Sequence, residues 1–182
     1  MLDGAEAEYL LESLSLQEKR IADLDARMAE SAKGDETIER LRSVPGVGPK
    51  VAFAFVAYVL ASRFENAGQV SNFLGLAPSV YMSGQSVRYG KITKRGNGYV
   101  RALLVQAAWA LIRSKGGGCL KERFEYMTKE KGLGRKKSAV AVARRMAELL
   151  YKLMRDGGEY EARPFMAGHV AAKELVAMAL GA

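Results

Sequence analysis

Ser79-Val80-Tyr81-Met82-Ser83-Gly84-Gln85-Ser86-Val87-Arg88-Tyr89-Gly90-Lys91-Ile92-Thr93-Lys94-Arg95-Gly96-Asn97 mixes β-branched and aromatic residues with glycines and carries no helical stripe. It reads as a short β-hairpin or an irregular loop. Almost everything around it has helical spacing, so the expected fold is mainly α with this one non-helical insertion. Downstream, Val100, Leu103, Leu104, Ala107, Ala108, Leu111 and Ile112 recur at three- and four-residue steps, predicting a helix over 98–115 with those residues inward. Gly116-Gly117-Gly118 closes it. Further helices are expected over about 120–131 and 137–155, the last stopped by Asp156-Gly157-Gly158.

Upstream, a helix over 36–43 meets the turn Val44-Pro45-Gly46-Val47-Gly48-Pro49, and a second apolar helix runs from Lys50 to about Ser62. Asn66 is placed to cap another helix that ends near Leu74-Gly75-Leu76. The first 33 residues are acidic and free of proline, with Leu10, Leu14, Gln17, Ile21, Leu24, Met28 and Ser31 alternately four and three apart. That spacing fits either a coiled-coil seam with a polar break at Gln17 or one amphipathic helix packed on its own domain. The division is therefore an N-terminal coiled-coil-like helix (1–35), a compact helical domain (36–160) and an Ala-rich tail (161–182).

Charge is distributed unevenly. Between Glu65 and Glu122 there is no Asp or Glu, while Arg88, Lys91, Lys94, Arg95, Arg101, Arg113, Lys115 and Lys121 supply eight positive charges, the whole formal net charge of +8. Such a localised excess is the electrostatic footprint of a surface that docks on phosphates. The longest apolar runs fall well short of the roughly 20 residues that span a bilayer, so no membrane span is expected. The start of the chain lacks the pattern of a secretory signal. Cys119, the single cysteine, forms no internal disulfide, and both features point to a cytoplasmic setting. Its thiol reads as a half-buried helix-start group, since the lone His169 is far off in sequence.

Two motifs carry the candidate chemistry. Leu41 to Ala52 has the helix-hairpin-helix form, in which Gly46 and Gly48 flank one apolar residue between short helices. Glycines there permit positive φ and close approach of backbone to a phosphate, with N–H groups of the next helix start as donors and Lys50 adding charge. Such a hairpin grips DNA backbone without reading bases; the bland reading is only a tight helical turn. In the insertion, Ser83 precedes Gly84, with Arg88, Lys91, Lys94 and Arg95 nearby. A serine hydroxyl attacks phosphorus only if a base takes its proton and cations stabilise the charge that develops. The cations are present and the base is unassigned; taken alone, Ser83 also fits a polar loop serine.

Five ordered blocks add a resemblance. Val44-Pro45-Gly46-Val47-Gly48-Pro49, Asn72 to Ser79, Ser83-Gly84, Gly90 to Asn97 and Arg101-Ala102-Leu103-Leu104 are similar in order and spacing to the C-terminal transposase domain of the IS116/IS110/IS902 type, the DEDD transposases related to Piv DNA invertases. The likeness covers about residues 38–160. It implies a recombinase in which the serine, by motif match Ser83, attacks DNA to form a phosphoserine link. It also implies DNA contacts through the basic loop with Asn97 and Arg101, a structured non-coding guide RNA, and dimers that pair into tetramers, with residues 10–28 where the family has its dimerising coiled coil. Magnesium, in the resemblance, belongs to an N-terminal RuvC-like domain whose acidic quartet is not found in this sequence; no cofactor or metal ligand is expected in this chain. Without that domain the chain is expected to be inactive alone. The alternative is a non-catalytic helix-hairpin-helix DNA-binding module, and a third reading is an adaptor that works through its coiled coil.

Overall fold

The computed structural model describes residues 3–59, 64–83 and 86–162. In chain order its elements are α1 (Gly4–Ala32), α2 (Glu36–Arg42), α3 (Pro49–Val59), α4 (Ala67–Phe73), β1 (Pro78–Ser83), β2 (Ser86–Ile92), α5 (Gly98–Arg113), α6 (Gly118–Lys129) and α7 (Arg135–Asp156). The expected mainly helical architecture is present, and the insertion resolves as a hairpin: β1 and β2 pair antiparallel in a two-stranded sheet. Residues 60–63, where the second apolar helix was expected to finish, and most of the Ala-rich tail lie outside the described residues.

Helix α7 is the hub, packing against α2, α4, α5 and α6. Its inner stripe includes Ala139, Val142, Ala143, Met146, Ala147 and Leu150, all fully buried. The small alanines at four-residue steps let neighbouring helices lie close, and the larger residues between them fill the grooves. Across from this stripe, α5 buries all seven residues that its spacing marks as inward. Tyr151 at the far end of α7 donates its hydroxyl to the Phe64 carbonyl, tying the segment before α4 to the hub.

Local chemistry sets the boundaries. Asp35 caps α2 by accepting from the Thr37 and Ile38 N–H groups. Asn66 caps α4 through Gln69, as its position before the helix suggests. Gly157, with φ 78°, stops α7 in the left-handed conformation that glycine adopts at little cost. Two limits differ from expectation. Helix α5 already ends at Arg113, and Gly118 opens α6 rather than closing α5. Helix α7 starts at Arg135, two residues early, because the chain after Gly134 turns directly into it.

The N-terminal helix stands apart from this core. It meets α3, and Ala32 at its end is buried, but Leu10, Leu14, Ile21 and Leu24 remain 52 to 58% exposed. The stretch of the seam from Leu10 to Leu24 is therefore not covered by the chain's own domain, while Met28, nearer α3, is half-buried. Among the described residues no helix is long and apolar enough to cross a membrane.

Candidate nucleic-acid interface

The hairpin is fixed at its base by two glycines. Gly75, in the turn after α4, and Gly96, in the basic loop after β2, have φ of 69° and 109°. A Cβ on Gly75 would fall 2.2 Å from the Arg95 carbonyl oxygen, and one on Gly96 would fall 1.9 Å from the Phe73 carbonyl oxygen. The two segments thus press backbone on backbone, sealed by Lys94 N–H to the Gly75 carbonyl at 3.1 Å and Thr93 N–H to the Ala77 carbonyl at 2.9 Å. Lys94 itself has φ 55°, a left-handed conformation uncommon for a side-chain-bearing residue. The outcome is a close-packed base that carries Lys91, Lys94 and Arg95, with Arg88 farther up β2, all exposed. None of them enters an ion pair among the described residues.

Register then decides which side chains share a face. Tyr81 pairs with Arg88 and Ser83 with Ser86, while Val80 pairs with Tyr89 and Met82 with Val87. Directly opposed residues, and those two apart on a strand, lie on one side of the sheet. One face therefore carries Tyr81, Ser83, Ser86 and Arg88; the other carries Val80, Met82, Val87 and Tyr89. Ser83 ends β1 and is exposed, with the Ser86 hydroxyl donating to its carbonyl at 3.1 Å. The nucleophile candidate and one of its candidate cations are thus on the same surface by strand geometry. Gly84 and Gln85 lie outside the described residues.

Below the hairpin, the other DNA-contact candidates divide into exposed and structural groups. Asn97 caps α5, its side-chain oxygen accepting from the Tyr99 and Val100 N–H groups at 2.9 and 3.2 Å. Arg101 is half-buried and donates to the Leu74 carbonyl at 3.1 Å, joining α5 to the end of α4. Both side chains are engaged in holding the base of the hairpin.

The α2–α3 turn separates its glycines in the same way. Gly46 has φ 86°, and a Cβ there would fall 2.4 Å from the Ala107 carbonyl oxygen and 2.7 Å from the Leu111 nitrogen. Its side faces the α5 backbone, so it serves packing. Gly48, which could equally permit positive φ, does not adopt it, and a Cβ there meets nothing within 4 Å. Lys50, in the first turn of α3, forms an ion pair with Asp25 of α1 at 3.1 Å. Its pKa is raised, first by the hydrogen bond and charge of Asp25 and to a lesser extent by the nearby Tyr99 phenol. Tyr99 is in the first turn of α5, so the α3 start adjoins the segment into which the basic loop runs.

Cys119 is half-buried near the start of α6, and burial pushes its thiol pKa up, with Glu122 adding to the shift. A raised thiol is a weak nucleophile at neutral pH, in keeping with a structural role. His169 lies outside the described residues. Among the described residues no group of three or more His, Cys, Asp or Glu comes together that could hold a metal ion.

What sequence reading missed is Asp25, which neutralises Lys50 from 25 positions away, and the groove beside Tyr81. A signal for the second existed in Gly90, a glycine inside a strand pattern, which marks close approach. A Cβ on Gly90 would fall 2.4 Å from Ser79 Oγ and 3.0 Å from a Tyr81 ring carbon.

A family model described as Transposase IS116/IS110/IS902 family matches residues 38–125. The chain is similar, at 33% identity over 151 residues, to a probable family 20 transposase of Pseudomonas aeruginosa, covering 80% of this chain and 43% of that protein. It is 30% identical over 139 residues to the transposase for insertion sequence element IS1111A of Coxiella burnetii, covering 76% and 38%. A pilin gene-inverting protein of Moraxella bovis is 27% identical over 125 residues, covering 68% and 38%. The chain thus spans about two fifths of the length of these relatives.

Proposed function

The chain belongs to the IS116/IS110/IS902 transposase family, and from that premise we propose that it supplies the DNA-gripping and strand-attacking part of a transposase. The observation that carries this reading is the hairpin register, which sets Ser83 on the same face as Arg88 above a close-packed acid-free base. Approach of DNA is driven by the unneutralised cations Arg88, Lys91, Lys94 and Arg95, with Gly48 and Lys50 at the α3 start as a second backbone contact in the helix-hairpin-helix manner. Gly46, Asn97 and Arg101 support those contacts by holding the turn and the loop in place.

The chemical step is attack of Ser83 Oγ on a DNA phosphorus. An O–P bond forms to serine, the bond from phosphorus to one flanking sugar oxygen breaks, and that sugar leaves as a free hydroxyl carrying a proton. The phosphoserine link keeps the energy of the broken diester, so a second strand's hydroxyl can reverse the exchange and join. Arg88 and its neighbouring cations stabilise the pentavalent phosphorane. A general base takes the serine proton and returns it, as its conjugate acid, to the leaving sugar oxygen, so the step balances. Magnesium, which the family resemblance implies for the N-terminal part of longer members, finds no ligand set among the described residues, and no step here runs through it.

Partners follow the same logic. DNA is the substrate, a structured guide RNA supplies target choice, and the exposed seam of α1 joins two copies, which pair further into a tetramer. The test is covalent trapping. Labelled nicked duplex bearing an element end is incubated with the chain or Ser83→Ala, each supplemented with the N-terminal portion of a longer relative and RNA. A protease-sensitive adduct confined to the unsubstituted chain is expected. DNA binding without any adduct would favour the non-catalytic helix-hairpin-helix module instead.

A further inference from the structure

Toward the base of the hairpin, reaching up to Tyr81 two residues before Ser83 on β1, lies a groove of about 650 Å³ lined by Ser79, Tyr81, Lys91, Ile92, Thr93 and Arg95. Its shape has a local cause. Gly90 lacks the side chain that would fill the space across from Ser79 and Tyr81, so the Tyr81 ring lies over bare backbone. Ser79 Oγ donates to the Lys91 carbonyl at 3.1 Å, which fixes that wall. The lining offers one aromatic face, two cations and the Thr93 hydroxyl, with no carboxylate. An aromatic face flanked by cations is the combination that takes a base by stacking and its phosphate by charge, and it tolerates any base because every base has a π-face. The Tyr81 ring is itself 67% exposed and therefore free to receive one.

Spacing adds the second argument. Tyr81 and Ser83 are two strand residues apart on one face, about 6.8 Å. A base stacked on Tyr81 has left the stack of its own strand, and the strand's adjoining phosphate then falls within one nucleotide's reach of Ser83.

We propose that this groove holds a single unpaired nucleotide next to the phosphate presented to Ser83, its base stacked on Tyr81 and its own phosphate between Lys91 and Arg95. The inference rests on the DNA-binding reading and deepens it: the substrate is DNA with a base displaced beside the point of attack, not uninterrupted duplex.

The test uses the full chain and two labelled duplexes of the same sequence, one fully paired and one with a single unpaired 2-aminopurine bulge. The unsubstituted chain is expected to bind the bulged duplex roughly tenfold tighter, the scale of one stacked base, and to quench its fluorescence. Tyr81→Phe keeps both effects, whereas Tyr81→Ser loses both and still binds paired duplex as before. Equal affinity for the two duplexes, or a preference that survives Tyr81→Ser, would overturn the groove assignment while leaving DNA binding in place. No affinity for either duplex would remove the DNA reading and this inference with it.

Discussion

Lys50 Nζ lies 3.1 Å from Asp25 Oδ1, so the lysine best placed to meet a phosphate at the α3 start is held by a carboxylate of the N-terminal helix. Both side chains are about half exposed, and an exposed pair of this kind is worth at most about 1 kcal/mol. A phosphate can therefore displace Asp25 at modest cost. Asp25→Asn should tighten duplex binding about two- to fivefold, the range that such a pair allows. Lys50→Ala should weaken it and lower the slope of log affinity against log salt by about 0.9. Titrations at four salt concentrations check both; an unchanged slope in Lys50→Ala would remove that residue from the interface.

The two turn glycines should part ways on substitution. Gly46→Ala combines a φ of 86° with a Cβ driven into the α5 backbone, where neither partner is a flexible side-chain end. The expected loss is about 2–4 kcal/mol, summing backbone strain and overpacking. Gly48→Ala meets open space and should change stability by no more than about 0.5 kcal/mol. Urea unfolding of the two variants gives the comparison directly. If Gly48→Ala weakens DNA binding at unchanged stability, close approach of a phosphate is what that glycine provides.

Around the basic loop, substitutions should divide by whether the side chain holds the fold or faces outward. Asn97→Ala removes the α5 cap and should cost about 1 kcal/mol. Arg101→Ala leaves the Leu74 carbonyl without its donor and should cost roughly 1–3 kcal/mol. Arg95→Ala should leave the unfolding midpoint alone and reduce DNA affinity, more at low salt than at high. A stable Arg101→Ala with weakened DNA binding would show that its guanidinium leaves Leu74 for a phosphate.

Cys119 gives the chain an alkaline limit. Burial raises its thiol above the ordinary 9.0, so the folded chain keeps the proton longer than the unfolded one. Stability from this group is whole below the unfolded thiol's range and is lost as pH rises through the folded value. Tyr160, whose hydroxyl donates to the Gly117 carbonyl, shifts upward in the same way, chiefly through burial, and with the same sign. Urea midpoints should hold up to about pH 8.5, the start of the unfolded thiol's range, and fall as pH rises above 9.0, and the fall should shrink in Cys119→Ala. An equal fall in the variant would assign the limit elsewhere.

Helix positions were legible because burial repeats with helical period: every residue of α5 marked as inward is inward. The hairpin was legible only as a choice between strand and loop, since its outer residues are exposed on both faces and no burial pattern marks its register. Register is what sets Ser83 beside Arg88 and apart from Met82, and it depends on long-range pairing. Gly46 illustrates a different limit. The motif spacing points to phosphate approach, yet the residue that crowds it, Ala107, is 61 positions away. Ser83 as nucleophile came from the resemblance rather than from its neighbours, because the group that would take its proton is not near it in sequence.

The apolar seam of α1 calls for a partner, and its geometry makes the partner testable. Leu10, Leu14, Ile21 and Leu24 stay exposed, and the acidic capping box at Asp3 and Glu6 starts the helix without help from the core. Exposed leucines at this spacing are stable in water when a second helix covers them. Burying each one contributes about 1.5–3 kcal/mol, so Leu14→Lys with Ile21→Lys should raise the dimer dissociation constant by at least about 100-fold. Sedimentation equilibrium of the chain and the double variant reads this as a fall from twice the 19.8 kDa chain mass to that mass itself. Both substitutions are on the exposed stretch, ahead of buried Ala32, so the helical domain should keep its urea midpoint. A chain that is monomeric before substitution would show that the seam meets something other than a second copy.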